Sequence, residues 1–414
     1  MRNRQLSAWS TVAVATLSLA VSNGLSIGGL PPFYKPLREE FVASGAVAAA
    51  HAETFIANSA NITFLLSGVF SLIGGWLALR FPLKNLMIAG CLLLGGGLVL
   101  HSLAGTANSI YIARALMGAS LGFIGVAPCV VLVSRWFEKG RGTALGITLV
   151  GTSLGGALIP LIASPLIAHY GWRLAMLGLS GLVWLVLLPA VLFFVREPVS
   201  GKDNVENAAV LEGASWSKAL RSPLFWALAT CSALVFYPIF ATSQQLILYL
   251  QTPKIGVSAE TAAFAQSALF AISIGGKFLA GFASDRLGPM RVMTFCTFLL
   301  FAASLVLFYL TATTALLFLL PFALGYGGTF VLIQRLAAEL FGRADAGRIL
   351  GTITLIEVIG ATIGGKITGY LADLHGGDYT VAFYGVTIAA AGAFIAAIAI
   401  ALLSERTRKT AAPE

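Results

Sequence analysis

Charge is what this sequence lacks most by the standard of a soluble protein. Only 10% of its 414 residues are Asp, Glu, Lys or Arg, against 58% hydrophobic, where a soluble domain carries about 25% charged residues. A water-soluble globule is excluded, and an integral membrane protein is what remains. Cysteine and histidine are scarcer still as residue types, with four of each. Cys91, Cys129, Cys231 and Cys296 lie inside apolar runs without metal-type spacing, so they read as small core residues rather than disulfides. His169 and His375 fall in predicted loops and form no metal site. The apolar runs contain no H-E-x-x-H, Ser/His or paired-Asp constellation, which argues against an intramembrane enzyme and implies no cofactor. The first apolar run, from near Leu6, is too long for a cleavable signal peptide and lacks an A-x-A site.

What is present is a series of long apolar runs. At about 20 residues per crossing, some twelve helices fit. Six runs lie near 8–34, 55–79, 84–103, 108–133, 143–168 and 173–195, and six more near 223–251, 259–283, 290–311, 315–340, 348–372 and 379–403. The division is therefore an N-terminal six-helix bundle over 1–195, a polar linker over 196–222, and a C-terminal six-helix bundle over 223–414 with a short tail. Glycine throughout the runs, 45 residues in all, suits close helix packing in lipid.

The net charge of +9 invites a nucleic-acid reading, which the placement of the charges argues against. With the N-terminus inside, nineteen of the 26 Lys and Arg fall in cytoplasmic segments and four in outer ones, while Arg114, Lys277 and Lys366 sit within spans. That asymmetry is a topology signal. It places both termini and the linker on the cytoplasmic side of the cell membrane. The halves also echo one another: "LGITLVGTSLGGALI" from Leu145 and "LGTITLIEVIGATIG" from Leu350 are 205 residues apart. A repeat of six spans suits a transporter built from two bundles around a midplane site.

"AGFASDRLGPMR" (280–291) resembles the signature loop of the major facilitator superfamily, G-x-L-a-D-r-x-G-r-[KR]. Asp285 can cap or pair at a helix end, Arg286 and Arg291 stay in the interface, and Gly288 makes the turn. Its counterpart "GGWLALRFPLKN" (74–85) has Leu79 where the acid is expected. "YIARALMGASLG" (111–122) is similar to the superfamily's R-x-x-x-G-x-x-x-G element. Two stretches, 135–173 and 356–379, resemble the monocarboxylate transporter and oxalate:formate antiporter branch. Glu357 matches that branch's span-11 acid, whereas Lys366 stands in a G-P-P turn and departs from the pattern. Where the branch has its carboxylate-binding arginine this chain has Lys277, with Ser273 and Gly28 at two further charged positions of the animal members. The resemblance implies an anion site but not the animal proton relay in detail.

The charges inside the spans carry the functional expectation. Glu357 and Lys366 are nine residues apart, about 180° around a helix and about 13 Å along it, so they do not pair. Lys277 lies about 12 Å in from Asp285, and Glu357 about 13 Å in from Arg348, at matching depth. Either Lys277 binds an anionic substrate while Glu357 carries a proton or pairs with Lys277 in the empty state, or the two form a static ion pair. A carboxyl taken out of water holds its proton more readily, which suits proton coupling. Lys366 either snorkels to headgroups or charges the outer mouth. Arg114 is either a second anion contact or a tie to backbone carbonyls. Asn23, Tyr237 with Gln244, and Tyr326 with Phe330 either fill in the pocket or serve helix packing, each pair sharing a helix face.

These readings predict an all-α membrane protein of twelve helices in two pseudo-symmetric bundles, functional as a monomer in the lipid bilayer. The predicted activity is uptake of a small organic anion, a monocarboxylate or aromatic carboxylate, with a proton by alternating access. Anion exchange or efflux of amphipathic compounds is the alternative; efflux predicts buried acids in the N-terminal bundle, and none occurs.

Overall fold

The computed structural model describes residues 2–48, 51–137, 140–195, 215–250, 252, 255–311, 314–342, 345–375 and 378–411. Most of the linker, 196–214, lies outside the described residues, as do Lys139, Lys254 and Arg343 among the topology-marking charges. Among the described residues, eleven continuous helical stretches are long and apolar enough to cross a membrane. One runs from Arg141 to Phe194, 54 residues, or about 80 Å at 1.5 Å per residue, more than twice a hydrocarbon core of about 30 Å. Gly171 breaks it with φ 75° and ψ 162°, a conformation costly for any residue with a Cβ. It therefore supplies two crossings, which makes twelve among the described residues. Leu161, Leu185, Phe193 and Ile388 are exposed, as side chains facing lipid are.

The first span departs from the predicted 8–34. Helix α1 (Arg2–Asn23) ends where Gly24–Gly28 widen into a π-type turn, and α2 (Pro31–Ala43) carries the span onward. Next come α3 (Ala52–Leu77), α4 (Leu83–Leu103), α5 (Ala107–Ile124) and α6 (Val126–Trp136). The break between α5 and α6 falls at an extended Gly125, and Pro128 follows within the first turn of α6, where its missing N–H costs no bond. Then follow α7 (Arg141–Gly181) and α8 (Leu188–Phe194), and in the second half α9 (Trp216–Leu220), α10 (Pro223–Leu250) and α11 (Ala259–Leu287). The last four are α12 (Pro289–Val306), α13 (Ala315–Phe341), α14 (Ala346–Leu374) and α15 (Thr380–Ala411).

The chain forms two compact units. One comprises 1–139, 147–213 and 343–355, the other 140–146, 214–342 and 356–414. In the first, the "GWR" residues anchor α2. Trp172 Nε1 donates to Glu40 at 2.6 Å, Arg173 Nε donates to the same carboxylate at 3.1 Å, and Arg173 Nη1 reaches the Ser102 carbonyl at 2.8 Å. The internal repeat reappears in the packing. Within the second unit a Cβ on Gly281 of α11 would stand 3.1 Å from Gly146 Cα. Within the first, a Cβ on Gly347 would stand 3.2 Å from Gly75 Cα of α3. The 205-residue offset that relates Gly142 to Gly347 also relates Gly146 to Gly351, so each half keeps one small-residue contact design.

Candidate functional site

The core of the site lies in the second unit, where α11 and α13 touch almost backbone to backbone. A Cβ on Gly327 would come 2.7 Å from Lys277 N and 3.0 Å from the carbonyl carbon of Gly276. Glycine here lets α13 press against α11 at the level of Lys277. The ammonium is fully buried and sits 4.7 Å from the Phe330 ring centroid and 5.6 Å from that of Tyr326. A desolvated cation over an aromatic face gains about 2 kcal/mol, a fraction of the several kcal/mol that burying an ion costs. Phe236 of α10 lies 5.6 Å from Phe330 and 6.0 Å from Phe240, so the lysine adjoins an aromatic wall.

Glu357 is likewise buried, at 4% exposure. Its carboxylate accepts a hydrogen bond of 3.0 Å from Gln334 Nε2, and no ion pair joins it to Lys277 among the described residues. The static-pair reading of these two charges is therefore not the arrangement found. Tyr326, Phe330 and Gln334 follow one another at intervals of four residues, on one face of α13. That face carries Lys277 at its upper two rungs and Glu357 at the third, about 6 Å further along the axis. Lys366 is exposed, as its position half a turn away from Glu357 requires.

The other expected residues divide between further places. Tyr237 and Gln244 lie along the glycines of α14. A Cβ on Gly364 would meet Tyr237 Cα at 2.9 Å, and one on Gly365 would meet Gln244 Cδ at 3.0 Å. Gln244 itself is exposed. Asn23 and Arg114 belong to the first unit. Arg114 is fully buried, its guanidinium carbon is 5.7 Å from the Tyr34 ring centroid, and Nε, Nη1 and Nη2 all lack a hydrogen-bond partner among the described residues. The same is true of Asn23 Nδ2 and both ring nitrogens of the buried His101. Among the described residues, the tie from Arg114 to backbone carbonyls that the sequence leaves open is thus not formed.

The signature loop combines both roles open to its acid. Asp285 accepts from Gly142 N at 3.0 Å, Thr143 N at 2.8 Å and Thr143 Oγ1 at 2.7 Å, and pairs with Arg335 Nη1 at 2.6 Å. A carboxylate on the free N–H groups of the first turn of α7 is favoured by the helix dipole. Arg335 also bonds Glu339 at 2.7 Å, as their spacing predicts. Gly288 takes φ 86° between α11 and α12, Arg286 lies 4.1 Å over Phe282, and Arg291 is exposed.

Two buried polar residues, Gln334 and His101, are not among those the sequence pattern marks. For Gln334 the signal was available: it continues the Tyr326–Phe330 face by one turn. For His101, near the end of an apolar run, nothing in the pattern distinguished it from a residue at the membrane boundary.

Comparison with known proteins agrees with this architecture. A family model of the major facilitator superfamily matches residues 16–364 and, again, 252–414. Monocarboxylate transporter 12 of Xenopus laevis is 25% identical over 338 residues, covering 75% of this chain and 72% of its own. Monocarboxylate transporter 13 of Bos taurus is 27% identical over 355 residues, covering 82% and 77%. The solved structure of the E. coli fucose:proton symporter FucP has a TM-score of 0.71 over 94% of this chain and 97% of that one, at 15% identity, a likeness of fold alone. A twelve-helix chain with the superfamily's signature loop, matched by its family model over most of its length, belongs to the major facilitator superfamily and is a multi-pass membrane transporter rather than an enzyme.

Proposed function

We propose that this transporter takes up a small organic anion, a monocarboxylate or an aromatic carboxylate, together with a proton by alternating access. One observation carries the reading: a fully buried Lys277 against Phe330 and Tyr326, one helical turn from a buried Glu357 that it does not neutralise. A cation held in that setting attracts a carboxylate, and the aromatic wall of Phe236 and Phe330 suits an apolar or aromatic body. Lysine is a point charge without the guanidinium fork, so shape rather than bidentate geometry orients the substrate. Glu357 is the proton carrier. Arg114, whose five N–H donors lack partners among the described residues, is the anion contact of the first unit, and Asn23 is a further donor of that unit. Tyr237 and Gln244 shape the site through α14. Asp285, Arg286, Gly288 and Arg291 gate it, on the cytoplasmic side with both termini, and one copy of the chain suffices.

The named relatives support the class: two are called monocarboxylate transporters. Exchange of one anion for another needs Lys277 but no titrating Glu357, and a buried Glu357 held by an amide favours symport over exchange. The test is uptake into proteoliposomes from a panel of labelled aliphatic and aromatic acids under an inward proton gradient. Saturable accumulation of at least one acid, lost in Lys277→Gln, is expected. Accumulation by Lys277→Gln equal to the parent would overturn the anion-site assignment.

A further inference from the structure

Gln334 has an unusual position for an uncharged residue. It is fully buried, its Nε2 donates to Glu357 Oε1 at 3.0 Å, and its own Oε1 is buried with no hydrogen-bond partner among the described residues. An amide side chain carries two donors and an acceptor on one planar group. Towards a charged carboxylate it presents N–H. Turned through 180°, it presents Oε1, which accepts the O–H of a protonated carboxyl. Both protonation states of Glu357 then keep a partner, and the oxygen left unbonded here is the atom that the protonated state uses.

The surrounding groups leave this role to Gln334. On α13, Arg335 is engaged by Asp285 and Glu339, and Tyr326 faces Lys277. On α11, Lys277 lies over Phe330 and Asp285 bonds the start of α7. From α10, Tyr237 packs at Gly364, nearly two turns beyond Glu357. On α14 itself, Arg348 pairs with Asp345 and Lys366 is exposed. The stretch of α3 that meets the first turns of α14 has no charged residue between 58 and 77. We infer that Gln334 is the positioning residue for the coupling proton, an amide switch that holds Glu357 in both its charged and its protonated form.

This inference rests on the reading of Glu357 as proton carrier, and the experiment separates the two. Proteoliposomes carrying the parent, Glu357→Gln, Gln334→Met or Gln334→Leu are assayed for exchange of labelled for unlabelled substrate and for proton-driven accumulation, over a range of pH. Methionine keeps the volume without the amide, and leucine is the second variant should the longer chain not be accommodated. A hydrogen bond to a charged acceptor is about twice as strong as one between neutral groups, so losing Gln334 weakens the charged form of Glu357 most. The proton is then released only at higher pH. Exchange within about twofold of the parent is expected, with accumulation at neutral pH reduced about tenfold and its profile displaced to alkaline pH. Equal loss of exchange and accumulation, or a parental pH profile, overturns the role of Gln334. Parental accumulation by Glu357→Gln overturns the reading beneath it, and the inference with it.

Discussion

Lys277 of α11 is a fully buried lysine set against two aromatic rings, and the energetics of the site turn on it. A hydrogen bond between a charged group and its ligand contributes about 1.5–3 kcal/mol, so Lys277→Gln should reduce the apparent affinity for substrate by about 10- to 100-fold in an uptake assay. Lys277→Arg keeps the charge and stacks on Phe330, and part of the activity should remain. Arg114→Gln should likewise weaken uptake, with no loss of melting temperature, because no hydrogen bond among the described residues is removed. At this scale the sequence was legible wherever charge was rare: a lysine or glutamate in an apolar run stands out because insertion makes it costly. Gln334 escaped because an amide carries no such cost signal, and its meaning depends on what faces it. The aromatic contact was half visible, since the spacing of Tyr326 and Phe330 gives their common face but not that Lys277 lies on it.

Helices here are held together by what their glycines omit. Gly327 and Gly276 bring α13 onto α11, and a side chain at Gly327 would meet backbone atoms that cannot yield. Gly327→Val should therefore abolish uptake and lower the melting temperature in detergent although every site residue is intact. Gly275→Ala is the control: its Cβ meets nothing within 4 Å, and replacing a helical glycine removes a cost of about 0.5–1 kcal/mol, so stability should hold or rise. Span number and rough position were legible as elements because runs of about 20 apolar residues have few alternatives in lipid. The broken spans were less so. Gly24–Gly28 and Gly125 lie among other glycines that leave their helices straight, and only packing decides which one bends.

Across the whole molecule the two halves share one contact pattern but differ in charge. Asp285 fastens the first turn of α7, whereas the position equivalent to it in the first half is Leu79. Asp285→Asn keeps one acceptor oxygen but loses the ion pair to Arg335 and the carboxylate at a helix N-terminus, each worth about 0.3–2 kcal/mol. A lower melting temperature in detergent is expected, and an unchanged one would remove the carboxylate from the account. The repeat was legible from the offset of Leu145 and Leu350, while the placing of residues 140–146 and 343–355 in opposite units depends on tertiary packing that no local pattern encodes. On the proposed reading, a proton carried by Glu357 drives entry of an anion held by Lys277. The most direct measurement of this coupling compares exchange with gradient-driven accumulation in proteoliposomes containing Glu357→Gln. Exchange near the parental rate and no accumulation above equilibrium are expected; accumulation that still follows the proton gradient would contradict proton carriage by Glu357.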